Sequence, residues 1–116
     1  MGALEALVER ARKADASLAA MERNIRLGRY QGRNSSATTE LMIRRRHQRD
    51  QALRELYALG GSSGRRLVGC LMAEAGLRRR VSIAREEGQA RPELRERLAL
   101  ARRRVRLELA GRGGED

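Results

Sequence analysis

Aromatic residues are almost missing from this sequence. Its 116 residues include two tyrosines, Tyr30 and Tyr57, and no phenylalanine or tryptophan. Proteins that bind single-stranded nucleic acid usually stack the bases on aromatic side chains. The composition therefore argues against a single-strand binder of that kind.

Residues that carry out catalysis or hold metals are also scarce. The chain has one cysteine, Cys70, and one histidine, His47, and it lacks HExxH, CxxC or any other spaced set of metal ligands. A Cys70–His47 pair is conceivable, but Cys70 lies in the apolar run LVGCLM, which is typical of a buried and unreactive thiol. We therefore expect no enzymatic activity, no metal and no cofactor. A single cysteine also excludes an internal disulfide and fits a reducing compartment.

Long hydrophobic runs are absent as well. The longest uncharged apolar run, LVGCLMA, is far shorter than the roughly 20 residues that a bilayer crossing needs. The N-terminal stretch MGALEALVERARK is charged at Glu5 and does not look like a secretory signal. We expect an intracellular, cytoplasmic protein with no membrane partner.

Arginine is what the sequence has in excess. It carries 26 basic and 15 acidic residues, a net charge of +11, and Lys13 is its one lysine. Such an excess indicates a polyanionic partner, with nucleic acid favoured over an anionic membrane surface. The planar guanidinium group also suits bidentate recognition of phosphate.

The apolar residues recur at helical spacing, and no stretch alternates at the period of two that marks a strand. The predicted fold class is all-α: a small helical bundle of about four helices, completed by dimerisation. We predict one helical domain over 1–110 and a disordered tail at 111–116. Within the domain, glycine, proline and serine positions place the helices at about 4–27, 37–59, 65–87 and 92–110.

The first predicted helix has an unbroken apolar seam and ends at Gly28. Its apolar positions are separated by alternating gaps of three and four, which is typical of a helix packed along its length on another helix. We interpret the seam as a dimerisation surface, and packing within the chain is an equally good alternative. The seam residues are Leu4, Leu7, Ala11, Ala14, Leu18, Met21 and Ile25.

Arginines crowd the second predicted helix, above all in the stretch IRRRHQRD. Segment 23–54 holds nine arginines against Glu40 and Asp50. Like charges at i,i+3 and i,i+4 repel one another in a free helix, so the crowding indicates contacts with phosphates. The alternative is a solvated face on which the arginine stems cover apolar surface.

Two more basic groups follow along the chain. One comes directly after Gly76, which is predicted either to kink the third helix or to split it, and the other is a stripe on the fourth helix that acidic neighbours partly neutralise. We predict that the second and third helices bind nucleic acid through Arg44, Arg45, Arg46, His47, Arg49, Arg54, Arg78, Arg79 and Arg80.

The order of a packing helix, a loop, a basic second helix and the charged helix PELRERLALARRRVRLEL resembles the nodavirus-type suppressors of RNA silencing. The resemblance implies a small helical homodimer that lays paired helices along double-stranded RNA in the cytoplasm of a host cell, and that suppresses silencing by sequestration. It is one of layout and charge, without a diagnostic motif, so no family residue is carried over.

A second stretch, RDQALRELYALGGSSGRRLVGCLM, resembles the opening helices of actinobacterial helix-turn-helix proteins. This resemblance implies a DNA-binding regulator in which AEAGLRRRVSIARE supplies the recognition helix, with Arg78, Arg79 and Ser82 at the major groove. That helix has no Asn or Gln before Gln89 to read adenine.

A basic structural subunit of a ribonucleoprotein, or a protein–protein adaptor, is the third alternative. We favour double-stranded RNA over DNA, bound without sequence specificity.

Overall fold

The computed structural model describes residues 2–29 and 35–114, and these form four helices with no strand among them. Helix α1 is Ala3–Arg26. The helical stretch Ser35–Glu86 is interrupted at Gly61, which gives α2 over 35–60 and α3 over 62–86. Helix α4 is Pro92–Gly114. The predicted all-α class and the number of helices are confirmed.

The chain divides into two compact units, Met1–Glu55 and Leu56–Asp116. The single domain over 1–110 stays a prediction. Each unit buries apolar side chains from its own helices. The first buries Val8, Ala11, Leu18, Met21 and Ala52. The larger set in the second unit is Leu56, Leu67, Leu71, Ala84, Leu94, Leu98, Ala101 and Val105.

The first unit is an antiparallel pair made of α1 and the first part of α2. Arg10 forms an ion pair with Glu55, near the start of one helix and late in the other. Gly28 has a φ of 76°, the left-handed region that glycine adopts without strain, and its N–H donates to the carbonyl oxygen of Ile25 at 3.0 Å. The prediction that Gly28 ends the first helix is confirmed.

The junction between α2 and α3 is tighter than the sequence predicts. The segment GGSSG suggested a five-residue break, but only Gly61 leaves helical geometry, with φ 57° and ψ −131°. The third helix therefore begins at 62 instead of 65. Gly64 lies so close to the preceding helix that a Cβ there would be 2.5 Å from the backbone oxygen of Leu56.

In the second unit, α3 and α4 form an antiparallel pair. The Nε of Arg66, early in α3, lies 3.2 Å from the carboxylate of Glu108, late in α4. Helix α3 is continuous through Gly76, so the predicted kink or split is absent. Helix α4 continues to Gly114, which shortens the predicted tail, and residues 115–116 lie outside the described part.

None of the described helices combines the length and the apolar composition that crossing a membrane requires.

Candidate functional site

The outer surface of α2 is the most basic helical surface of the first unit. The side chains of Arg44, Arg46, His47, Gln51 and Arg54 are all exposed. We call these five residues the basic face of α2. Arg44, His47, Gln51 and Arg54 follow a 3-4-3 spacing, so they line one side of the helix.

Three arginines of the basic face are available for a partner. Arg44, Arg46 and Arg54 have no hydrogen bond or ion pair with any residue that the structure describes. Arg44 and Arg54 are ten residues apart, which is about 15 Å along an α-helix. The basic face therefore offers unpaired guanidinium groups over a length of roughly three helical turns.

Two other arginines of the same segment turn inward, against α1. Arg45 donates from Nη1 to the backbone oxygen of Ser17 at 3.0 Å. The Nη1 of Arg49 lies 3.4 Å from the carboxylate of the buried Asp15, and its Nη2 lies 3.0 Å from Asp50. Both guanidinium groups thus help to hold the first unit together.

The sequence contained a signal for this inward orientation. Arg45 interrupts the apolar side of α2 that also carries Ala52, and Asp15 stands at the centre of the buried face of α1, between Ala11 and Leu18. A buried carboxylate needs a charged or hydrogen-bonding partner, and an arginine on the facing helix is the natural one. The prediction that Arg45 and Arg49 bind nucleic acid stays untested.

Part of the predicted seam of α1 packs within the chain. Ala11, Leu18 and Met21 are buried in the first unit, so the alternative of intramolecular packing describes these three residues. Leu4, Leu7 and Ala14 are half-buried, and Ile25 is 40% exposed. A homodimer stays a prediction.

The basic group after Gly76 is divided in the same way. Arg80 is exposed, whereas Arg79 donates to the backbone oxygen of Ala75 at 3.4 Å, within its own helix. Arg78 lines a groove between α3 and α4. Residues 73–76, where the helix-turn-helix alternative would place its turn, are helical. That alternative stays a prediction.

The candidate catalytic and metal-binding side chains of the described residues bear on the prediction of no enzymatic activity, which stays a prediction. They contain no group of three or more His, Cys, Asp or Glu side chains that could hold a metal ion. Burial, followed by the nearby Glu108 carboxylate, raises the pKa of the Cys70 thiol, and Arg104 opposes this shift to a lesser extent. A raised pKa keeps the thiol protonated, the opposite of an activated nucleophile.

Tyr57 is the one aromatic side chain in the described part of the chain, and it has a neighbour on its ring. The guanidinium carbon of Arg65 lies 5.2 Å from the ring centroid, within cation–π range. This contact leaves the ring less accessible to a stacking base.

The chain matches no protein-family model, no curated protein and no solved structure. Its function must be inferred from its own residues.

Proposed function

We propose that this chain binds duplex nucleic acid without sequence specificity, double-stranded RNA in preference to DNA, through arginine–phosphate contacts. The observation that supports this is the set of unpaired guanidinium groups of Arg44, Arg46 and Arg54, exposed on the side of α2 that does not pack on α1. These groups carry charge that no described neighbour neutralises, so a polyanion gains contacts without breaking existing ion pairs.

A duplex suits the basic face better than a single strand. Arg44 and Arg54 lie about 15 Å apart along one side of a straight helix, so they can meet successive phosphates of a duplex, and Arg46 adds a cation on the adjoining flank. Single-strand binders add stacking on aromatic rings, and the basic face has no aromatic residue. RNA is favoured because proteins recognise its duplex mainly by shape and by backbone contacts.

Coating a duplex in this way would deny it to nucleases and processing enzymes. Sequestration is therefore the mechanism that we propose, and a homodimer would double the number of basic faces on one duplex. A chain that acts by sequestration needs no catalytic group.

Fluorescence anisotropy with matched duplexes of RNA and DNA, and with a single strand, across a salt series tests the proposal. We expect sequence-blind binding with the RNA duplex preferred. The variant Arg44→Gln/Arg54→Gln should lower the slope of log affinity against log salt concentration by about 2, because each lost phosphate contact removes about one released counterion.

The control variant, Arg97→Gln/Arg103→Gln, removes the same charge from exposed positions of α4 that belong to no proposed site. It should keep most of the affinity and the salt slope. Equal losses in the two variants would show that only net charge matters and would overturn the assignment to α2. A preference for one sequence, or no binding to any duplex, would overturn the proposed function.

A further inference from the structure

A second basic surface lies in the other unit, in a groove between α3 and α4. The groove has a volume of about 540 Å³. Arg78 and Arg85 line it from α3, and Arg95 and Arg102 line it from α4. Ser82 lies between the two arginines of α3.

All the charged side chains that line this groove are positive. No carboxylate lines it, and the side chains of Arg85, Arg95 and Arg102 have no hydrogen bond or ion pair with any described residue. The hydroxyl of Ser82 donates a hydrogen bond to the carboxylate of Glu86 at 3.2 Å. The unpaired guanidinium groups of Arg85, Arg95 and Arg102 repel one another unless an anion lies between them.

The spacing of the arginines sets the length of that anion. Each helix contributes two arginines seven residues apart, a separation of two turns or about 10 Å. Because α3 and α4 are antiparallel, Arg85 and Arg95 lie nearer to the connection between the helices, and Arg78 and Arg102 lie farther from it. An anion that meets all four must be elongated and carry several charges.

The groove offers nothing that would read a base. No aromatic, Asn or Gln side chain lines it, and the remaining lining residues are Val81, Leu98 and Ala99. Bases are recognised by stacking and by donor–acceptor pairs, so a ligand of this groove is held through its phosphates alone.

We propose that the groove between α3 and α4 binds a linear triphosphate, with the guanidinium groups of Arg78, Arg85, Arg95 and Arg102 contacting its phosphate oxygens. Arginine forms bidentate, charge-assisted hydrogen bonds with phosphate, and a fully ionised triphosphate carries enough charge to balance the four side chains. Free tripolyphosphate and a nucleoside triphosphate share this chemistry. The site does not rest on the proposed duplex binding, which is argued from Arg44, Arg46 and Arg54 in the other unit. Arg78 is the one residue that it shares with the nucleic-acid-binding set predicted from the sequence.

Isothermal titration calorimetry on the full chain, in buffer of fixed ionic strength, tests this site with inorganic tripolyphosphate, ATP and orthophosphate. Tripolyphosphate and ATP should bind alike, and orthophosphate should bind at least about tenfold more weakly because one phosphate cannot reach both ends of the groove. ATP binding far more tightly than tripolyphosphate would show base recognition and overturn the proposal. Equal binding of orthophosphate would do the same.

Variants locate the binding. Arg95→Gln/Arg102→Gln should weaken tripolyphosphate binding by about tenfold or more, since two charge-assisted contacts are lost. The control Arg97→Gln/Arg103→Gln, with the same loss of charge from the same helix, should stay within about twofold. Circular dichroism checks that each variant is folded. If Arg95→Gln/Arg102→Gln is not folded, Arg85→Gln on α3 is used in its place. Unchanged tripolyphosphate binding in Arg85→Gln would overturn the proposal.

Two further experiments distinguish this site from the proposed duplex-binding site. Arg44→Gln/Arg54→Gln should bind tripolyphosphate as the natural chain does, whatever happens to its duplex binding. A single-stranded oligonucleotide that displaces tripolyphosphate at equal phosphate concentration would make the groove a nucleic-acid site and overturn the triphosphate assignment.

Discussion

Neighbouring arginines of α2 have opposite roles because each residue turns the side chain by about 100° around the helix. Arg44 and Arg46 lie on either side of the direction that Arg45 takes toward α1. Charge density alone does not separate them. What separates them is the acceptor that α1 presents: Arg45 donates to the backbone oxygen of Ser17, and Arg49, one turn later, lies beside the buried carboxylate of Asp15.

Replacing Arg49 by alanine should destabilise the protein, whereas Arg44→Ala should not. Arg49 is a partner of the buried Asp15, and its loss should lower the free energy of unfolding by about 1–3 kcal/mol, toward the lower end because the Arg49 side chain is 26% exposed. Exposed Arg44 should change it by less than about 0.5 kcal/mol. Urea denaturation followed by circular dichroism measures both, and equal effects would contradict the structural role of Arg49.

Cys70 should react slowly with alkylating reagents near neutral pH. Burial and the Glu108 carboxylate raise the pKa of its thiol, so the thiolate fraction at a given pH is below that of a free cysteine and the rate rises only at higher pH. The initial rate of iodoacetamide modification against pH, compared with a short cysteine peptide, measures the shift. If the rate of Cys70 modification reaches its midpoint at a lower pH than that of the peptide, the thiol is activated, and that result would support a catalytic role for Cys70.

At the scale of the element, the junction between α2 and α3 depends on two glycines with different functions. Gly61 supplies a positive φ that lets the chain change direction. Gly64 instead provides room, because a side chain there would meet the carbonyl oxygens of Leu56 and Tyr57. A substitution at either position would therefore destabilise the junction, through backbone strain at Gly61 and through a steric clash at Gly64.

Gly64→Ala should destabilise the second unit, and Gly69→Ala is its matched control one and a half turns further along α3. The new methyl group at 64 would be 2.5 Å from a backbone oxygen, so the backbone must shift, at a cost of about 1–3 kcal/mol. At 69 nothing lies within 4 Å, and alanine should stabilise the helix by up to about 1 kcal/mol. Thermal unfolding compares the two, and stabilisation by Gly64→Ala would refute the close approach.

At the scale of the whole molecule, the sequence predicts elements better than their partners. Apolar periodicity, Gly28 and Pro92 locate the four helices to within a few residues, because helix formation and helix ends depend on local chemistry. Periodicity says only that α1 packs on some helix. The partner emerges from the geometry that joins Asp15 to Arg49.

The groove in the second unit illustrates the same limit. Arg78 and Arg102 are far apart in sequence, and they line one groove only because α3 and α4 fold against each other. In the sequence, a basic stripe on the fourth helix consists of Arg91, Arg95, Arg102 and Arg106. The acidic residues beside it make a surface of ion pairs an equal alternative. In the structure Glu93 pairs with Arg91, as the ion-pair alternative expects, whereas Glu108 pairs with Arg66 of α3. Neither carboxylate pairs with Arg95 or Arg102.

A homodimer, if it forms through α1, must use the flank of the helix that stays partly exposed. Leu7, Ala14 and Ile25 share one side of α1 next to the buried face. The buried apolar set of the first unit includes Ala11 and Ala52, which contribute little apolar area. Covering that flank with a second copy would add burial to a small core.

Sedimentation velocity across a micromolar concentration series measures the state directly. We expect a species of twice the 13.0 kDa chain mass, and Leu7→Gln/Ile25→Gln should convert it to the monomer by placing polar groups in the interface. Ile43→Gln is the control. Ile43 is 59% exposed on α2, so this substitution removes exposed apolar surface from a helix other than α1. A natural chain that sediments as a monomer at every concentration excludes the homodimer, and dissociation by Ile43→Gln alone would move the interface from α1 to α2.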